Sequence, residues 1–418
     1  MAKLETDDAL VNGLTFRKKR VSAPNDALAG VRILDLTKVL AGPLCTQYLS
    51  DLGADIIKVE PTGSGDETRR WPPFRGGQGA VFLSANRNKR SIAVDLKTES
   101  GRAVVHRLAA SADVFIESYG TGVVERLGVG YDTIRAIKPD IVYCSISGFG
   151  RSGALKNGLG YDVILQAYSG MMGMTGEKGS GPVRIPISPI DQMTGLHAMS
   201  GILAALISRQ KTRTGTCIEV SLYESALALL GYSLQIYWEK GVLPEKNGSG
   251  HESLCPYQAF DASDKPMLLG IANDNLWRRF CSVANLSGAV DDPRFATNPA
   301  RVANFGATIA LVQGVLRTRS CDDWVATLIA AGIPCAPINT LQDALDNPHT
   351  ADRGIVLDYE HPELGVLKTI AHPVTFDGAK SAVRSPPPLL GAHSDEILRE
   401  IGFDDAEIGR LKAAGAIA

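Results

Sequence analysis

"VRILDLTKVLAGPLCTQYLSDLGADIIKVE", residues 31–60, decides the fold. "VRILDL" (31–36) reads as a buried strand and "DIIKVE" (55–60) as a second one. Between them, "LCTQYLSDLG" reads as a helix. A strand, a helix and a second strand in this order place the two strands side by side and parallel.

The rhythm continues outward. A Gly/Pro-rich loop (61–79) leads to strand "SIAVDL" (91–96), helix "ESGRAVVHRLAAS" and strand "DVFIES" (113–118). Helix "GVVERLG" and the segment "YDTIRAIKP" then lead to strand "DIVYCSIS" (140–147). This alternation predicts an α/β fold with a doubly wound, Rossmann-like parallel sheet, whose ligands sit beyond the carboxyl ends of the strands. After residue 150 the pattern changes. Helix "DVILQAYSGMMG" (162–173), a Gly-rich loop and a helix over 192–208 precede "CIEVSLYESALALLG" (217–231). Residues 240–256 are polar and rich in Gly and Pro. The expected organisation is an arm (1–28), a large domain (29–224), a smaller α+β domain (225–330) and a return to the large domain (331–418).

Bulk chemistry removes several classes of function. Forty-three basic and 45 acidic side chains give a net charge of −2, so no basic surface for nucleic acid or membrane lipid is expected. "RKKR" (17–20) is flanked by Glu5, Asp7 and Asp8, unlike a transit peptide. The apolar run "GILAALIS" is far shorter than a bilayer span. Seven scattered cysteines without C-x-x-C, and seven histidines without ligand spacing, predict reduced core thiols, a cytoplasmic protein and no metal site.

Catalytic candidates are few. "TGEKGSG" (175–181) lacks the G-K-[ST] ending of a P-loop and does not join a first strand to a helix. There is no G-x-S-x-G elbow, and Cys144 falls inside a strand. Asp191, the only acid in "PISPIDQMTGLHAMSGILAALISRQ" (186–210), stands where a helix begins. It reads as the helix N-cap. It also reads as a nucleophile, because a helix N-terminus keeps a carboxylate ionised and an ionised carboxylate can attack an acyl carbon in a water-excluding site.

A resemblance weighs between these readings. Residues 31–69, "NRNKRSIAVDLKTESGR" (86–102) and "DVFIESYGTGVVERLGVGY" (113–131) resemble the family III CoA-transferases. "PDIVYCSISGFGRSG", "PISPIDQMTGLHAMSGILAAL" and "PPPLLGAHSDEIL" continue the match in family order, over about residues 29–415. The resemblance implies transfer of CoA from an acyl-CoA to a carboxylic acid through an enzyme aspartate in a D-x-x-[ST]-G motif. Here that motif is "DQMTG", so the nucleophile is Asp191. It implies an aspartyl anhydride and an aspartyl-CoA thioester, coenzyme A as a substrate with no permanently bound cofactor, and an interlocked homodimer.

By position in the family motifs, Val39, Leu40 and Ala41 would line the CoA cleft. Lys97 and Arg126 would face the phosphates, with Tyr119 and Leu127 beside the nucleotide. Arg87 and Lys89 are further cationic candidates, and Tyr161 and Asp162 match a polar pair near the substrate. "NGSGHES" (247–253), with Gly248, Gly250 and His251, is the candidate lid. The formyl-CoA branch has Gln where this chain has Leu40, which argues against formate or oxalate chemistry, and Arg where it has Pro61, which removes one nucleotide contact. "GHESLCPYQAF" with the "PPPLLGAH" tail resembles the dicarboxylate branch that includes succinyl-CoA:glutarate enzymes. A dicarboxylate needs a cation for its free end, and Arg184 is the first choice, Arg301 the second. The alternatives are an α-methylacyl-CoA racemase or a non-catalytic CoA-binding protein. The racemase branch reads G-H-D where this chain has Gly160-Tyr161-Asp162, and no histidine lies between His106 and His197 to act as its base.

Overall fold

The computed structural model describes residues 26–418; most of the expected arm, residues 1–25, lies outside them. The described chain divides into two compact units. One holds the residues through Leu165, Ile187–Leu230 and Ala351–Ala418; the other holds Gln166–Pro186 and Gly231–Thr350.

The first unit is built on six parallel strands: β1 (Arg32–Leu36), β2 (Asp55–Glu60), β3 (Lys89–Ala93), β4 (Val114–Glu117), β5 (Val142–Ser147) and β6 (Thr216–Ser221). Their spatial order is β3-β2-β1-β4-β5-β6, and every neighbouring pair is parallel. The expected doubly wound α/β sheet is therefore present. The strand order reverses between β1 and β4, which opens a crevice at their carboxyl ends. Central strands are buried on both faces, which explains their continuous apolar runs. Helices α1 (Ala41–Asp51) and α2 (Glu99–Ala110) follow β1 and β3, and Thr98 caps α2 through its side chain. Leu34, Ile57, Ile92, Val104, Leu108, Phe115 and Tyr143 lie in the main core.

The helix carrying Asp191 is longer than its pattern predicts. α3 runs from Pro189 to Thr212, and its length and composition alone would suffice to cross a membrane. Its buried face is Ile190, Asp191, Thr194, Gly195, Ala198, Ile202, Ala205 and Leu206, at helical spacing. That face packs along α1. Gly195 makes this approach possible, since a Cβ there would stand 2.7 Å from the Ala41 carbonyl oxygen. The helix expected over 162–173 breaks at Gly170, whose φ is +89°. What remains is α4, Asp162–Tyr168, and a separate turn at Met171–Met174.

The second unit carries a three-stranded antiparallel sheet, Tyr257–Asp261, Pro266–Gly270 and Cys335–Pro337, under helices that include Asp274–Val283, Phe305–Leu316 and Cys321–Ala330. Trp277, Phe280 and Trp324 centre its core. Its limits differ from the expected 225–330: it begins at Gly231, ends at Thr350 and takes in 166–186. Local bonding explains the added segment. The Gly248 N–H donates to the Gly176 carbonyl at 3.0 Å, and Lys246 donates to the carbonyls of Ser180 and Gly181.

Candidate active site

A cleft of about 230 Å³ opens at the strand-order reversal. The β1–α1 turn supplies Lys38, Val39, Leu40, Ala41 and Gly42. Ser118, Tyr119, Gly120 and Thr121 follow β4, and Ile146, Ser147 and Gly148 end β5. Loop residues Arg151, Lys156 and Tyr161 also line it, and so does Asp191.

Asp191 is not the cap of its helix. Pro189 is the first helical residue and Asp191 the third, and Ser188 at the cap position makes no side-chain cap bond. The cap comes from elsewhere. Asp162, at the start of α4, accepts the N–H groups of Ile190 and Asp191 through Oδ2 at 2.8 and 3.1 Å. Pro189 has no N–H to satisfy, so Asp162 takes the free donors of the first turn. The expectation that the helix terminus keeps Asp191 ionised is therefore corrected. Burial first, and the Asp162 charge second, push its carboxyl up to about 7. One turn on, Thr194 returns its hydroxyl to the Ile190 carbonyl at 2.7 Å, and Gly195 seats the helix on Ala41. The D-x-x-T-G spacing thus places a carboxylate at the cleft and a glycine on the same helix face against α1.

A buried ion pair backs the cleft at Arg151. Glu117, at the carboxyl end of β4, is fully buried. The Arg151 guanidinium donates to Glu117 at 2.9 Å, to Ser145 at 2.7 Å and to the Tyr119 and Ile146 carbonyls at 2.7 and 3.1 Å. Arg151 thereby ties its loop to the ends of β4 and β5. The β1–α1 turn is strained. Val39 has φ +69°, a left-handed conformation that β-branched residues avoid. Neither a side-chain cap nor an acidic residue occupies the first turn of α1.

Comparison with known proteins gives the family of the chain. The profile of CoA-transferase family III matches residues 28–394. The chain is 38% identical to the succinyl-CoA:glutarate CoA-transferase of Homo sapiens over 392 residues, 93% of this chain and 90% of that protein.

The chain belongs to the family III CoA-transferases.

It is also 39% identical to an acyl-CoA transferase of Fusarium pseudograminearum, over 95% of this chain and 89% of that one. In structure it matches a CAIB/BAIF family protein from Brucella suis with a TM-score of 0.80 and 36% identity, over 90% of this chain and all of the other.

A CoA-transferase must hold CoA and an acyl group, and the residues expected to do so separate into distinct groups. Val39, Leu40, Ala41, Tyr119 and Tyr161 share the cleft with Asp191. Leu127 instead packs against the main core. Lys97 and Arg126 are exposed after the carboxyl ends of β3 and β4, outside the cleft lining. Arg87 and Lys89 are corrected. Both are buried in structural pairs: Arg87 bonds Asp51 at 3.0 and 2.5 Å, and Lys89 bonds the Pro43 carbonyl at 2.8 Å and Asp35 at 3.3 Å. Arg301 is corrected likewise. It is 0% exposed and saturated by the Cys255 and Phe295 carbonyls and Asp274. Arg184, Gly248, Gly250 and His251 belong to the second unit. Arg184 is exposed there; the His251 ring stacks on Tyr232 and accepts the Ser253 N–H at 3.0 Å.

Lys38, Lys156, Arg151 and Glu117 were not anticipated. Two signals were available: an acid ending an apolar strand in "DVFIES", and a lone arginine among glycines straight after a strand in "GFGRSG". Among the described residues, no group of His, Cys, Asp and Glu side chains has the arrangement of a metal site.

Proposed function

We propose that this CoA-transferase moves CoA from succinyl-CoA to a second dicarboxylic acid, with Asp191 as the covalent carrier. The observation that carries the reading is the Asp191 carboxyl opening into the cleft at the strand-order reversal. The names of the relatives support the substrate class, since the human protein is a succinyl-CoA:glutarate CoA-transferase.

Each step balances. The Asp191 carboxylate attacks the thioester carbonyl carbon, the C–S bond breaks and CoA leaves as thiolate, giving a mixed anhydride. The thiolate attacks the Asp191 carbonyl carbon and expels the donor acid as carboxylate, leaving an aspartyl-CoA thioester. The acceptor carboxylate attacks that thioester and again releases thiolate. The thiolate then attacks the acceptor carbonyl, which forms the product thioester and returns the Asp191 carboxylate. Burial serves the first and last steps, because a desolvated, basic carboxylate is a strong nucleophile and an anhydride survives only away from water. The developing oxyanions need N–H donors, and the uncapped first turn of α1 beside Asp191 supports that assignment.

In this reading Lys97 and Arg126 meet the CoA phosphates, and the enzyme works as an interlocked homodimer in the cytoplasm. An acceptor screen with succinyl-CoA, read by mass spectrometry of the CoA esters formed, tests the substrate assignment. Transfer to monocarboxylates in preference to every dicarboxylate would overturn it.

A further inference from the structure

The strained turn that forms one wall of the cleft is held by a buried ion pair outside the reaction scheme. Asp66 and Lys58 are 3% and 0% exposed, and the Lys58 ammonium lies 3.2 Å from Asp66 Oδ2. Both reach into the turn after β1. Asp66 Oδ1 faces the Val39 N–H at 3.4 Å and accepts the Thr68 N–H and hydroxyl at 3.0 and 2.8 Å. Lys58 donates to the Thr37 carbonyl at 2.9 Å. From the other side, Asp35 accepts the Thr37 N–H at 2.8 Å and the Thr46 hydroxyl of α1 at 2.6 Å. Three buried charges thus grip three consecutive peptide units leading into Val39.

A valine at φ +69° does not persist unless its surroundings impose that conformation. A glycine would hold it without cost. The turn also meets the helix of the nucleophile, since Gly195 packs against Ala41 and both Val39 and Asp191 line the cleft. Moving Val39 would shift the first turn of α1 relative to the Asp191 carboxyl, and small displacements of a reacting group are costly.

We propose that Asp66, backed by Lys58, is a positioning residue for CoA transfer, which holds Val39 in its strained conformation and so fixes the Val39–Ala41 wall against the Asp191 helix. This rests on the cleft being the site of transfer. It predicts a coupling between two residues that share one weak contact.

The test is a double-mutant cycle on the full-length enzyme with succinyl-CoA and a dicarboxylate acceptor. Asp66→Ala lowers kcat about tenfold or more, while KM for succinyl-CoA changes less than threefold. In a Val39→Gly background the same substitution lowers kcat less than about threefold, because glycine needs no clamp. If Asp66→Ala folds poorly, Lys58→Met/Asp66→Ala removes the pair together, leaving no new lone cation, and is read in both backgrounds. Equal loss of kcat with Val39 and with Gly at position 39 would overturn the proposal, and so would a loss confined to KM. Failure of the nucleophile assignment is distinguished separately: Asp191→Asn retaining full transfer would sink that reading and leave the 66–39 coupling measurable.

Discussion

Asp162 caps the helix that carries Asp191: its Oδ2 accepts the Asp191 N–H at 3.1 Å, one residue after accepting that of Ile190 at 2.8 Å. Two carboxyl groups therefore share one helix terminus, and they divide its benefits unequally. Asp162 takes the N–H donors. Asp191 is left buried, with a neighbouring negative charge that disfavours its own ionisation. The helix begins firmly, and the carboxyl in its first turn stays basic.

Asp191→Asn is expected to lower kcat for CoA transfer by about six orders of magnitude, the scale seen when a covalent nucleophile is removed. The aspartyl-CoA adduct formed with succinyl-CoA should vanish with it. Mass spectrometry of the intact protein after borohydride or hydroxylamine treatment reads both. An adduct persisting on the asparagine variant would mean that another residue carries the acyl group.

The carboxyl near 7 fixes the sign of two pH dependences. Attack needs the carboxylate, so kcat/KM for the acyl-CoA rises with pH and levels off above about 7. Stability runs the other way. The folded protein holds this proton more tightly than the unfolded chain, so the stabilisation is full below about pH 4 and is lost as pH rises through 7. The amplitude is up to roughly 4 kcal/mol. Denaturant melts of wild type and Asp191→Asn at pH 4, pH 5 and pH 8 separate this group from the rest: the gain of the variant over wild type is smallest at pH 4, begins by pH 5 and is largest at pH 8.

Replacing Asp162 distinguishes its cap from its charge. Asp162→Asn keeps an oxygen acceptor and removes the charge, so the pH midpoint of kcat/KM moves down with little change in melting temperature. Asp162→Ala removes both and costs about 1–2 kcal/mol in addition. A midpoint unchanged in both variants would show that burial alone sets the Asp191 titration.

Gly195→Ala places a methyl group 2.7 Å from the Ala41 carbonyl oxygen, which is backbone and cannot swing aside. The helices must part, at a cost of about 1–3 kcal/mol. Because Asp191 lies one turn away on the same face, kcat should fall more than KM rises. Calorimetry and steady-state kinetics on the same preparation check the two effects together.

Arginines distinguish structure from binding. Arg301→Ala leaves the Cys255 and Phe295 carbonyls without their buried donor and should cost about 1–3 kcal/mol, with KM unaltered in the fraction that folds. Lys97→Ala and Arg126→Ala should leave the melt untouched and raise KM for acyl-CoA. That effect should shrink at high salt, as expected of exposed charges meeting phosphates.

The sequence by itself determined the sheet and the location of the cleft. Alternation of apolar strands with helical segments is a local property, and a parallel sheet with its ligands beyond the carboxyl ends follows from it; the spatial order, with its reversal between β1 and β4, came from the fold. It also placed Val39–Ala41, Tyr119, Tyr161 and Asp191 at strand and helix ends that meet in space. Tertiary structure alone decided which charges are free. Arg87, Lys89 and Arg301 read as cations available to CoA or a dicarboxylate because their counter-charges, Asp51, Asp35 and Asp274, stand tens of residues away and only the fold brings them into contact. The same holds for the cap of the Asp191 helix, contributed from 29 residues upstream. Strain at Val39 was equally hidden, since its conformation is set by residues packed around it rather than by its own preference. A charge or a strained peptide is stabilised by neighbours in space, and a single chain read in order gives only neighbours in sequence.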